Sequence, residues 1–236
     1  DYVALSFVRS AADIEVARAF MRAQGRQCPL IAKIEKHEAL DQLDAIIAAV
    51  DGVMVARGDL GVDIPPEQVP TAQRKIIEKA NFAGKPVITA TQMLKSMTEA
   101  PRPTRAEVTD VTNAVLEGTD AVMLSAETAA GKYPLETVVE MAKICHAAES
   151  HEIANFEADF MGKTFGRIDQ SIAMGALFTA YHMGAKAIVA MTDSGSTALW
   201  MSRHLIQVPI YALTPRIATQ RKMALYRNVR PLLMDN

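Results

Sequence analysis

Short apolar runs recur along the first two-thirds of the chain at the spacing of one strand-plus-helix unit. They begin near Tyr2, Leu30, Gly52, Pro86 and Asp120. Runs such as 30–34, 53–55, 87–90 and 122–124 are almost continuously apolar rather than alternating, as in strands covered on both faces. Between them, helical periodicity predicts helices over 11–24, 38–50, 66–83 and 104–117. Thr104 and Glu107 have the spacing of a capping box, and Gly84 stands where a C-cap is expected.

This alternation predicts parallel strands with crossover helices. The predicted fold is α/β: a partial (β/α)8 TIM barrel holding its last five βα units, followed by an incomplete parallel-sheet domain. A helix over 135–150 closes the barrel part, which spans residues 1–150. Residues 151–166 lack a clear period and read as a connecting segment. From 167 to 236 a second α/β pattern runs: a helix to 183, then strands at 186–191, 209–213 and 229–234 with helices between. The chain opens on a strand without Met and stops abruptly after one, so it is expected to be a piece of a longer protein.

Half the residues are apolar and the formal net charge is only −2, which fits a soluble globular protein and offers no basic surface for nucleic acid. No apolar run approaches the roughly 18–20 residues that span a bilayer. Cys28 and Cys145 lack metal or disulfide-framework spacing, which points to a reducing, cytoplasmic setting.

Parallel barrels collect their chemistry at the C-terminal ends of the strands. Polar residues end four successive runs here: Lys33 with Glu35, then Asp59, Thr91 and Ser125. Lys33 and Glu35 are two apart and share a face, while Ala32 and Ile34 point to the surrounding helices. Taken alone, the pair is equally a structural ion pair. Asp59 lies in Ala56-Arg57-Gly58-Asp59-Leu60-Gly61, whose glycines let backbone approach a ligand. Glu35 plus Asp59 would suit Mg²⁺ or Mn²⁺, hard cations that leave positions open for substrate oxygens. Asp59 as a turn cap, and Thr91 or Ser125 as helix N-caps, stay open as alternatives.

The arginines of 101–107 suit phosphate, a neighbouring subunit or a solvated helix entrance alike. Thr192, Ser194, Gly195, Ser196 and Thr197 lie between a strand and a helix, where hydroxyls and free N–H groups can cradle phosphate. No nucleophile triad, dinucleotide fingerprint or histidine ligand spacing is present.

These motifs closely resemble pyruvate kinase. They are Ser6-Phe7-Val8-Arg9, Ala32-Lys33-Ile34-Glu35, residues 51–61, Ala90-Thr91-Gln92-Met93-Leu94, residues 101–107 and residues 123–129, in order. The details are similar to the bacterial type activated by sugar phosphates or AMP. The resemblance implies metal-dependent phosphoryl transfer from phosphoenolpyruvate to ADP, giving pyruvate and ATP, in a cytoplasmic homotetramer. It implies that Lys33 neutralises the transferred phosphoryl group and the enolate, and that Glu35 and Asp59 hold the divalent metal. Gly58, Asp59 and Thr91 would contact substrate, with Thr91 near the proton route and Arg57 and Ser125 at the periphery. Residues 192–197 would be the effector-phosphate loop. The family's K⁺ ligands, lid domain and first strands would precede Asp1. Two other readings are a Mg²⁺-dependent lyase or aldolase acting on a pyruvate enolate, and a non-catalytic ligand-binding fragment.

Overall fold

The computed structural model describes residues 2–151, 166–204 and 206–234, so residues 152–165 of the expected connection lie outside the described residues. The described residues fall into two compact units, one of them Tyr2–His151.

The first unit is a five-stranded parallel sheet in sequence order: β1 (Val3–Leu5), β2 (Leu30–Ile34), β3 (Gly52–Ala56), β4 (Val87–Ala90) and β5 (Ala121–Met123). The helices are α1 (Ala11–Ala23), α2 (His37–Asp41), α3 (Leu43–Ala49), α4 (Arg57–Asp63), α5 (Val69–Phe82), α6 (Arg105–Leu116), α7 (Ala126–Ala129) and α8 (Pro134–His151). Sequential parallel neighbours joined by helices are the repeat of a (β/α) barrel. The fully buried Ala32, Ile34, Val53, Val55 and Val87 meet Ile14 of α1, Ile46 and Ile47 of α3, and Ile76, Ile77 and Ala80 of α5. This covering of the strands explains their unbroken apolar runs.

Register sets the opposite face. Lys33 pairs with Met54, Met54 with Ile88, and Ile88 with Ala121, forming one row. Ala56, Ala90 and Met123 form the row two residues further on. Glu35 lies one step past the Ile34–Val55 pair, level with that second row.

The expected helix over 38–50 bends at Gln42, whose φ of −101° and ψ of 15° separate α2 from α3. Its N–H still bonds Glu38 and its carbonyl Ile46, so hydrogen bonding runs on through the bend. The helix expected at 66 starts as a 3₁₀ turn, Pro66–Gln68, before α5. Helix α4 and a 3₁₀ turn, Lys95–Thr98, occupy stretches read from sequence as loop. The Thr104–Glu107 capping box forms as expected. Glu107 also accepts from Ser96 N–H at 2.6 Å and Ser96 Oγ–H at 2.5 Å, tying the 3₁₀ turn to α6. Although partial burial pushes the Glu107 carboxyl up, these bonds and those from Thr104 outweigh it and hold the group below its ordinary range.

The second unit has three parallel strands in order, β6 (Ile188–Met191), β7 (Ile210–Thr214) and β8 (Val229–Leu233), with α9 (Ile168–His182), α10 (Ser196–Ser202) and α11 (Ile217–Met223). Ala173 and Leu177 of α9 pack with Met201, Ala190 and Ile210. Val189, Met191, Leu232 and Leu233 are exposed, so part of this small sheet lacks cover among the described residues. Among the described residues, no helix is long and apolar enough to cross a membrane.

Candidate active site

Lys33 and Glu35 meet at the upper edge of β2. The Lys33 ammonium lies 2.5 Å from Glu35 Oε1, and the Glu35 side chain is wholly buried. Phe7 N–H donates to Glu35 Oε2 at 2.7 Å, and Lys33 Nζ donates to Ser6 Oγ at 2.9 Å. Glu35 Oε1 is excluded from solvent and, beyond the lysine's charge, has no directional hydrogen bond. A buried carboxylate oxygen with one cation and spare lone pairs is suited to a second cation. Ser6 and Phe7, which orient this pair, are part of a quoted motif but received no separate role from sequence. Phe7 adopts φ 55°, which turns its N–H in a left-handed bend.

Arg57, Gly58 and Asp59 are in the first turn of α4, directly after β3. Asp59 is exposed, at a helix N-terminus. A Cβ on Gly58 would lie 3.4 Å from Thr91 Oγ1, so packing within the chain does not itself demand glycine there. The far end of α4 is fastened by Asp63. It accepts from Lys36 Nζ at 2.9 Å and from His37 N–H at 2.7 Å, and its Oδ2 lies 2.9 Å from His37 Nδ1. Asp63 is held far below the usual carboxylate range, first by Lys36 and then by His37. His37 is pushed up, chiefly by its hydrogen bond to Asp63 and then by the charge of Glu38. His37, Glu38 and Asp63 bring three ligand-type atoms within 4.8 Å of one another. With Lys36 bound to the same carboxylate, this group reads as a clamp between the loop after β2 and α4.

Thr91 caps no helix of its own. It follows β4 at φ 70°, and Gln92 follows at φ 54°, consecutive left-handed residues of which neither is glycine. Its hydroxyl donates to the Ala90 carbonyl at 2.6 Å and accepts from Gly58 N–H at 2.7 Å. It therefore satisfies one of the unpaired donors that open α4, a capping role across strands.

Arg57 is turned away from solvent. Its guanidinium donates to the Thr91 carbonyl at 2.8 Å and pairs with Asp110 of α6 at 2.6 Å. Ser125 precedes α7, and its N–H and hydroxyl donate to Glu127 Oε2 at 2.9 and 3.3 Å. Glu127, given no role from sequence, is buried, and its Oε1 accepts from Leu94 N–H at 3.4 Å. This carboxylate links the loops after β4 and β5.

In the second unit, Gly195 takes φ 85°, and its N–H donates to Thr192 Oγ1 at 3.0 Å. Ser196 N–H donates to Ser194 Oγ at 3.4 Å, and Ser196 Oγ–H to Asp169 at 3.3 Å. Asp193 pairs with Arg216 at 2.5 Å. Thr197 lies in the first turn of α10. The loop's own hydroxyls occupy two of the N–H groups that sequence assigned to phosphate, those of Gly195 and Ser196.

A row of parallel strands whose C-terminal edges carry an ammonium–carboxylate pair, a second carboxylate and a braced hydroxyl defines an α/β protein built on the (β/α) barrel repeat. Comparison with known proteins narrows that class. A model of the pyruvate kinase barrel domain matches residues 1–138, and one of the pyruvate kinase alpha/beta domain matches residues 170–236. The chain belongs to the pyruvate kinase family. It is 49% identical to pyruvate kinase 2 of Synechocystis over 99% of its length and 39% of that protein's. It is 48% identical to pyruvate kinase of Haemophilus influenzae, covering 98% of this chain and 49% of that one. A crystal structure of a pyruvate kinase from Cryptosporidium parvum superposes with a TM-score of 0.95 at 38% identity, over all of this chain and 50% of that one. The chain thus spans half or less of the length of these relatives.

Proposed function

We propose that this chain forms the catalytic and regulatory middle of a cytoplasmic pyruvate kinase, which transfers the phosphoryl group of phosphoenolpyruvate to ADP and yields pyruvate and ATP. Its residues 1–150 would contribute the catalytic rim and 167–236 part of a regulatory domain, with 151–166 connecting them. The observation that carries the reading is the wholly buried Glu35 carboxylate paired with the Lys33 ammonium past the end of β2, each of its oxygens holding one partner and keeping a lone pair for a further cation.

Phosphoryl transfer asks a protein mainly for positioning and for charge opposite the transferring oxygens. Lys33 supplies that charge and, as the phosphoryl group passes to ADP, faces the oxygen of the enolate left behind. Glu35 and Asp59 are the residues that would hold Mg²⁺ or Mn²⁺, whose chemistry there is to polarise the phosphoryl and enolate oxygens. Gly58, with no side chain and with its N–H held by the Thr91 hydroxyl, would bring backbone close to the substrate carboxylate. Thr91 lies on the route by which the enolate carbon gains its proton. Arg57 and Ser125 support this rim from its edge, each already engaged within the chain.

The family also suggests K⁺, a homotetramer and a sugar-phosphate or nucleotide effector. For the effector, Thr192, Ser194, Gly195, Ser196 and Thr197 offer hydroxyls and N–H groups that a phosphate could recruit from their internal bonds. The five-stranded sheet has outer edges at β1 and β5, and closing a barrel takes eight strands, so activity is assigned to the longer protein.

A coupled assay of that protein tests the proposal. Pyruvate should form from phosphoenolpyruvate only when ADP is present, with ATP in equal amount. Carbon–carbon cleavage without ADP would instead support the lyase reading, and no turnover by the folded protein the non-catalytic one.

A further inference from the structure

We infer that Arg57 is a positioning residue for the reaction: its guanidinium, braced on Asp110, holds the left-handed turn at Thr91 and so places the Thr91 hydroxyl. The inference rests on the kinase reading above.

A β-branched residue at φ 70° is a rare, strained conformer, and it persists only where its surroundings impose it. A second left-handed residue, Gln92, follows directly. Arg57 meets this turn along its length. Nη2 donates to the Thr91 carbonyl at 2.8 Å and lies 2.8 Å from Met93 Sδ, while Nε faces the Ala90 carbonyl at 3.4 Å. On its other side, Nη1 meets Asp110 Oδ1 at 2.6 Å and Gln73 Oε1 at 3.4 Å. The side chain is only 10% exposed, so water screens these charge-assisted bonds little.

The next residue completes the grip. Gly58 N–H donates to the Thr91 hydroxyl itself. One dipeptide thus holds both the carbonyl and the side chain of Thr91, and Asp110 fixes the dipeptide's guanidinium against α6. Only a planar fork can reach Asp110 and two neighbouring carbonyls together. Lysine, a single ammonium, cannot.

The test uses the full-length protein with Arg57→Lys, Asp110→Asn and Arg57→Lys/Gln92→Gly. Two rates are read: kinase turnover with its KM for phosphoenolpyruvate, and exchange of pyruvate's methyl protons with solvent deuterium. Arg57→Lys should lower turnover and exchange together by about tenfold or more, with KM changed by less than about twofold. Gln92→Gly should then restore at least about threefold of that loss, because glycine takes positive φ at little cost. A folded Arg57→Lys protein with both rates within twofold of the parent would overturn the inference. So would a loss that Gln92→Gly fails to relieve, which marks a merely structural arginine. If Arg57→Lys does not fold, Asp110→Asn, which removes only the brace, decides by the same rate and KM criteria. The parent protein separates the two levels. ADP-dependent turnover of the parent beside a normal Arg57→Lys rejects only the role of Arg57, whereas a folded parent that forms no pyruvate from phosphoenolpyruvate and ADP rejects the kinase reading itself.

Discussion

A Lys33→Met variant of the full-length protein should turn over phosphoenolpyruvate on the order of 10³-fold more slowly than its parent. The lysine supplies the protein's own positive charge at Glu35, and methionine keeps its length and apolar stem but not its charge. The same substitution has a second expected result. Glu35 is wholly buried, and without Lys33 its carboxylate keeps only the Phe7 N–H as a described hydrogen-bond partner. Leaving a buried charge without its counter-ion costs on the order of 3 kcal/mol. The variant should therefore melt at lower temperature, and added Mn²⁺ should recover part of the shift by replacing the lost charge. Kinetic assay and thermal melting check the two effects separately. Near-normal turnover would defeat the role given to Lys33.

Gly131→Ala should destabilise the barrel unit by about 3 kcal/mol or more, or prevent it from folding. A Cβ at this position would stand 2.3 Å from the Glu127 carbonyl oxygen and 3.2 Å from the Thr98 Cα, both backbone atoms that cannot swing aside. Lys132 N–H bonds the Thr98 carbonyl at 2.9 Å, which pins the chain in this narrow passage. Relief requires α7 to move, and α7 carries the Glu127 carboxylate that holds Ser125 and Leu94. Chemical denaturation of the variant and its parent measures the effect. A change below about 1 kcal/mol would show that the passage relaxes easily.

Much of the architecture was legible because local signals and tertiary placement agree. Continuous apolar runs mark strands that the helices cover, and the Ser/Thr-x-x-Glu spacing at Thr104 closes as a real capping box. Period-two geometry put Lys33 beside Glu35, and they meet. Helix α4 was hidden because Gly58, Asp59 and Gly61 are poor helix formers. Its support comes from elsewhere: the Thr91 hydroxyl at one end and the Lys36–His37–Asp63 clamp at the other. The left-handed Thr91 runs against the preference of a β-branched residue, so no sequence pattern announces it. Arg57 looked available to substrate because its partner Asp110 lies 53 residues away. Glu127 resembles any helix-start acid until Leu94 and Ser125 close over it. In each case a long-range contact decided what local preference could not.

In the proposed site Glu35 and Asp59 share one divalent cation opposite Lys33. Anomalous diffraction from crystals of the full-length protein with Mn²⁺ and oxalate, a stable mimic of the enolate, tests it most directly. The account predicts a manganese peak bounded by the Glu35 and Asp59 carboxylates, with oxalate oxygen between the metal and Lys33 Nζ. Manganese held instead by His37, Glu38 and Asp63, with none between Glu35 and Asp59, would contradict it.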